Sequence, residues 1–125
     1  MNGRGMVVAG CLAAFAGVAL GAFGAHALRG ALSDRMLEVW QTAVQYNLVH
    51  ALGLVLAGLL ARYTGEPRVI RLAGGLMLAG VLLFCGSLYL LAVTGIGWLG
   101  AVTPFGGVAF LVSWLLLARG AWRHL

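Results

Sequence analysis

Charge is scarce in this sequence: 9% of its 125 residues are charged, and only three are acidic. With 62% hydrophobic residues and a mean hydropathy of +1.02, the chain lacks the material for a water-facing surface. This excludes an ordinary soluble domain. Asp34, Glu38 and Glu66 lie in or beside the breaks between apolar runs, so no carboxylate pair stands ready for acid–base work within a run. Cysteine is sparse too. Cys11 and Cys85 have no partner at metal-ligand spacing and read as small, polarizable packing side chains. No nucleophile constellation, internal repeat or pair of broken helices is visible, which are what a hydrolase or a carrier would need. No cofactor and no metal are expected. The net charge of +5 does not amount to a nucleic-acid surface, because no folded basic domain accompanies it.

What the chain has instead is long apolar runs. A helix needs about 20 apolar residues to cross a hydrocarbon core of ~30 Å, and arginines and acids punctuate the chain at about that interval. The spacing predicts an all-α membrane protein, a single four-transmembrane-helix bundle with spans over about 6–28, 39–61, 72–93 and 104–122. The uncharged interval from Leu72 to Ala118 would make one helix of roughly 70 Å at about 1.5 Å per residue, so it must fold back. The reversal is "TGIGWLGAVTP". Gly95 and Gly97 end the third helix, Trp98 suits the headgroup layer, and Thr103 and Pro104 read as N-cap and first residue of the fourth. The runs are apolar all round instead of alternating at period two, which argues for helices over a barrel. Ser33 is placed to cap a helix from Asp34 whose amphipathic first turns form an interfacial extension ahead of the second span, with Trp40 near the boundary.

Arginine sets the orientation. With both termini in the cytoplasm, Arg4, Arg62, Arg68, Arg71, Arg119 and Arg123 are inside and only Arg29 and Arg35 outside. Arg4, an apolar run and "AHA" at residues 25 to 27 resemble a secretory signal peptide, but the run exceeds the ~7 to 15 apolar residues usual there, and it reads as a retained span. Within lipid, helices associate through close backbone approach. Ala9, Ala13, Gly17, Gly21 and Ala25 recur every four residues on the first helix, and Gly53, Ala57 and Ala61 on the second. Two readings stand: packing within the bundle, or a face for a second copy or another membrane protein.

Into this apolar background "QTAVQYNLVH", residues 41 to 50, places Gln41, Thr42, Gln45, Tyr46, Asn47 and His50. The segments "GAFGAHAL" (21–28), "QTAVQYNLVHALGL" (41–54), "FCGSLYLLAVTG" (84–95) and "VTPFGGVAFLVSWLLL" (102–117) resemble the YgdD family of small bacterial inner-membrane proteins, which has mitochondrial relatives and is classed as a domain of unknown function. The resemblance covers nearly the whole chain in order. It implies four spans and a multi-pass protein of the bacterial inner membrane, and it brings no substrate or cofactor.

The orientation assigns each polar residue a depth. His26 lies at the outer end of the first helix, Gln41 to His50 in the outer half of the second, Ser87 and Tyr89 toward the outer end of the third, and Thr103 at the outer start of the fourth. The expectation is a one-sided polar cluster or shallow pocket above an apolar inner half. Thr42, Tyr46 and His50 form an i to i+4 ladder with Gln45 beside it and Asn47 on the far flank. The cluster is either a binding or proton-handling site lined by His26, Thr42, Gln45, Tyr46, His50, Ser87 and Tyr89, or a hydrogen-bonded knot that fixes helix register. Shared metal or haem ligation by His26 and His50 is set aside, because the two differ in height by about 12 to 16 Å. Arg29 is a candidate contact for an anionic headgroup or ligand, with snorkelling as the alternative. The first functional reading is a membrane interaction, accessory or scaffolding protein in the lipid bilayer. The second is a protein binding a lipid, quinone or small solute from the outer leaflet. A membrane enzyme or transporter comes last.

Overall fold

Two side-chain caps open the chain. Asn2 Oδ1 accepts from the Gly5 amide at 2.7 Å at the start of α1, Gly3–Ala27. Ser33 Oγ accepts from the Met36 amide at 3.2 Å at the start of α2, Asp34–Tyr63, as expected of a serine in that position. The computed structural model describes residues 1–125 and contains helices and short turns only. α3 (Arg68–Gly80), a π-helical turn (Val81–Cys85) and α4 (Gly86–Thr94) run on as one third span, and α5 is Leu99–His124. These make four helices long and apolar enough to cross a membrane, the architecture expected.

The fourth span begins earlier than Thr103 and Pro104 suggest. Gly95 adopts a left-handed φ of 72° and its amide bonds the Leu91 carbonyl at 2.8 Å, which closes the third span. The reversal is complete by Trp98, so α5 starts at Leu99 and Pro104 falls inside it. There Pro104 removes one helical amide. Thr103 caps nothing: its Oγ1 reaches the Leu99 carbonyl at 3.4 Å. Trp98 stands exposed at the outer end, in keeping with a headgroup position.

α2 and the third span form the centre, with α1 packed on α2 and α5 on the third span. α1 docks through glycines seven residues apart, Gly3, Gly10, Gly17 and Gly24, all buried. A Cβ on any of them would collide with α2, at Gly58, Val55, Leu48 and Trp40 in turn. A seven-residue repeat keeps one stripe facing a partner helix along a left-handed crossing. The four-residue stripe expected for this role drifts off the contact: Gly17 and Gly21 meet α2, Ala9 packs on the inner core, and Ala25 is exposed.

The inner half is filled by Met6, Leu54, Ala57, Ile70, Met77 and Leu117, apolar as expected. One polar group lies within it. Ser113 Oγ donates to the Ala73 carbonyl at 2.6 Å and ties α5 to α3. At the inner surface the α2–α3 turn places Glu66 in a left-handed conformation, φ 65°, with its amide on the Ala61 carbonyl at 2.7 Å. Its carboxylate accepts from the Gly3 amide at 2.9 and 3.1 Å and pairs with Arg62 at 3.5 Å. A carboxylate at the first amide of α1 satisfies a donor that the helix itself cannot, and complements the helix dipole.

Candidate functional site

α2 turns two of its polar residues inward, His50 (5% exposed) and Asn47 (4% exposed), while Thr42 and Gln45 are exposed and Tyr46 is 40% exposed. Asn47 is therefore an interior residue and does not sit on a far flank. An interrupted apolar helix has no polar face to set the phase, so side-chain spacing alone misplaces it.

His50 is held by two bonds of opposite sense. Nδ1 lies 2.8 Å from the Tyr46 carbonyl, an acceptor, so Nδ1 carries the proton. Trp114 Nε1 donates to Nε2 at 3.1 Å, so Nε2 is unprotonated. The partners thus assign a neutral ring with both nitrogens occupied. One face is covered as well: Phe110 stacks on it at a centroid distance of 3.6 Å, while Tyr46 lies parallel to the imidazole but to one side of it, at 5.8 Å. Beside this stack, between α2 and α5, is a cavity of about 510 Å³ whose walls include Tyr46, His50, Phe84, Pro104 and Trp114. Two of the aromatic rings are seated on glycines of neighbouring helices, Phe110 on Gly80 and Trp114 on Gly53, and the Phe84 backbone lies against Gly106. Phe84 belongs to the π-helical turn, a distortion common at functional sites.

A second polar chain lies nearer the outer end. Trp40, level with Gly24 near the outer end of α1, is buried against that helix: Nε1 donates to the Leu20 carbonyl at 3.0 Å, and Gly24 leaves the room for its ring. Trp40 meets the Tyr89 ring edge-on at 4.8 Å, and Asn47 Nδ2 donates to Tyr89 Oη at 2.9 Å. Asn47 Oδ1 is buried without a protein hydrogen-bond partner, and an unpaired buried acceptor costs about 1 to 3 kcal/mol. On the far side of α4, Ser87 Oγ donates to the Phe84 carbonyl at 3.0 Å and meets Thr103 Oγ1 at 2.6 Å.

The residues singled out from the sequence therefore fall into separate groups. Tyr46 and His50 share the aromatic cavity, Ser87 pairs with Thr103, and Tyr89 pairs with Asn47. Gln45 borders a small cleft of about 170 Å³ beside Tyr46 and His50. Thr42 makes no hydrogen bond through its side chain, and His26 and Arg29 are exposed at the outer end of α1. His50 is level with residues of α1 between Gly10 and Gly17, about 20 Å below His26 at about 1.5 Å per residue, so the two imidazoles do not meet. Trp114, Phe110 and Asn47 were missed as partners, and so was Ser113. Buried Cys85 packs in the core as expected, whereas Cys11 is exposed on the lipid side of α1.

Comparison with known proteins gives this arrangement a family. The chain is 48% identical over 119 residues to the UPF0382 membrane protein YwdK of Bacillus subtilis, covering 95% of this chain and 97% of that one. It is 45% identical over 119 residues to a UPF0382 membrane protein of Staphylococcus haemolyticus, covering 95% and 96%. A further UPF0382 membrane protein, from Staphylococcus saprophyticus, is 42% identical over 117 residues, covering 94% and 96%. No solved structure matches. A family model described as a protein of unknown function (DUF423) matches residues 20–107, which contain α2, the third span and most of the polar network, and the chain belongs to that family of multi-pass membrane proteins.

Proposed function

We propose that this protein is a membrane interaction protein, an accessory or scaffolding subunit whose rigid bundle presents an apolar helix face to another protein in the same bilayer. One observation carries the reading: the buried polar groups are spent almost entirely on each other. His50 pairs with Trp114, Ser87 with Thr103, Ser113 with Ala73 and Trp40 with Leu20. Such bonds lock helices together and leave no continuous polar path for a solute. The stack around His50 offers a solute aromatic faces and no free ring nitrogen, which weakens the reading as a pocket for a polar ligand.

α1 is the face this proposal assigns to the partner. Its glycine edge is consumed by α2, and Val8, Leu12, Phe15 and Val18 point away from the bundle. The partner is a membrane-embedded helix of another chain or of a second copy. Purification in mild detergent tests it. A stoichiometric membrane-protein partner that is lost on Leu12→Ala with Phe15→Ala, while the helical content stays unchanged, supports the proposal. A monomer under all conditions refutes it.

A further inference from the structure

On the α1 side of the third span, away from His50, a groove of about 440 Å³ opens to the lipid. Its walls are apolar, from Leu12, Ala13 and Ala16 of α1 to Leu78, Leu82 and Gly86 opposite, and no charged side chain lines it. Asn47 and Tyr89 are the polar residues in the lining. Asn47 is 4% exposed and directs its amide to Tyr89 at 2.9 Å, while Oδ1 is the buried side-chain atom that finds no partner. The Tyr89 oxygen accepts the bond from Asn47, which leaves the hydroxyl hydrogen available for donation. Asn47 and Tyr89 thus bring a buried, unpaired acceptor and an available donor to the wall of an otherwise apolar channel.

We propose that this groove binds a neutral amphiphile of the outer leaflet, an apolar body carrying a hydroxyl that donates to Asn47 Oδ1 and accepts from Tyr89 Oη. The chemistry of the two protein groups selects the hydroxyl. A ketone or ester carbonyl has no hydrogen to give Oδ1, and a hydrocarbon leaves both groups unmet. Depth selects against phospholipids. Asn47 lies opposite Gly17, about 15 Å inward of the outer end of α1 at about 1.5 Å per residue, and a charged headgroup is not drawn that far from water. The volume falls within the range of small-molecule sites, about 300 to 1,000 Å³. A Cβ on Gly86 would meet nothing within 4 Å, so a side chain added there enters the groove without disturbing helix packing.

A diacylglycerol and a reduced isoprenoid quinone both carry this chemistry. Protein in phosphatidylcholine nanodiscs is titrated with radiolabelled dioleoylglycerol and, separately, with a radiolabelled isoprenoid quinol, each against its O-acetylated form. The expected result is saturable binding of at least one hydroxyl form, weakened about tenfold by acetylation and about tenfold in Asn47→Leu, and abolished in Gly86→Phe. The titrant that saturates identifies the source. Absence of saturable binding by either overturns the proposal and leaves a site for water only; so does equal binding of the acetylated form, or binding unchanged in the variants. If Asn47→Leu does not fold, Gly86→Phe, which keeps Asn47, decides the matter.

Discussion

At His50, one bond to a carbonyl and one from an indole settle the tautomer, and a proton added at Nε2 would face the Trp114 N–H. The residue behaves as a joint between α2 and α5, and its contribution is measurable. A double-mutant cycle of His50→Leu and Trp114→Phe, read from unfolding in detergent, is expected to give a coupling of about 0.6 to 2 kcal/mol, the scale of hydrogen bonds between membrane helices. Coupling indistinguishable from zero would show that the pair is incidental. The inward placement of His50 was legible in the sequence, because a titratable residue at membrane depth has to face the bundle. Its partner was not. Trp114 sits in "FLVSWLLL", where nothing in the pattern separates an indole facing lipid from one reaching across to another helix. The same ambiguity hid Asn47 while Thr42 and Gln45, equally polar in sequence, turned out to be exposed.

Among the elements, α1 shows most plainly what lipid does to a sequence pattern. In water its buried face would be marked by leucine; here Leu12 and Phe15 point outward and glycines make the contact. Gly10→Leu is therefore expected to destabilise the bundle by about 1 to 3 kcal/mol through overpacking, since its side chain would meet Val55 and the Ala51 carbonyl. Leu12→Val, on the exposed face, is expected to shift unfolding by less than about 0.5 kcal/mol. Equal effects in a detergent unfolding series would rule out the seven-residue interface. Four crossings could be counted from sequence because the bilayer imposes one length on each. The glycine heptad was present at Gly3, Gly10, Gly17 and Gly24 but lay under a denser four-residue stripe of alanine and glycine, and twenty glycines supply many such registers. The start of α5 was misjudged because Pro104 suits a first turn by its fixed φ, whereas the turn at Gly95 had already released the chain into a helix.

At the scale of the whole molecule, four crossings place both chain ends and the α2–α3 turn on one side, and arginine assigns that side to the cytoplasm. In a background with Cys11→Ala and Cys85→Ala, a membrane-impermeant maleimide added to intact cells is expected to label Ser33→Cys, and to label Thr64→Cys only after permeabilisation. The opposite pattern would invert the topology. The clasp at Glu66 adds an order of events to this arrangement. The first amide of α1 is answered by a carboxylate 63 positions later in the chain, so during synthesis it has water as its partner until the first hairpin and the following turn have been made. Closing that contact reports that the first two crossings have gone in with the correct handover between them, and a chain stalled or misthreaded before Glu66 leaves its leading end unfastened.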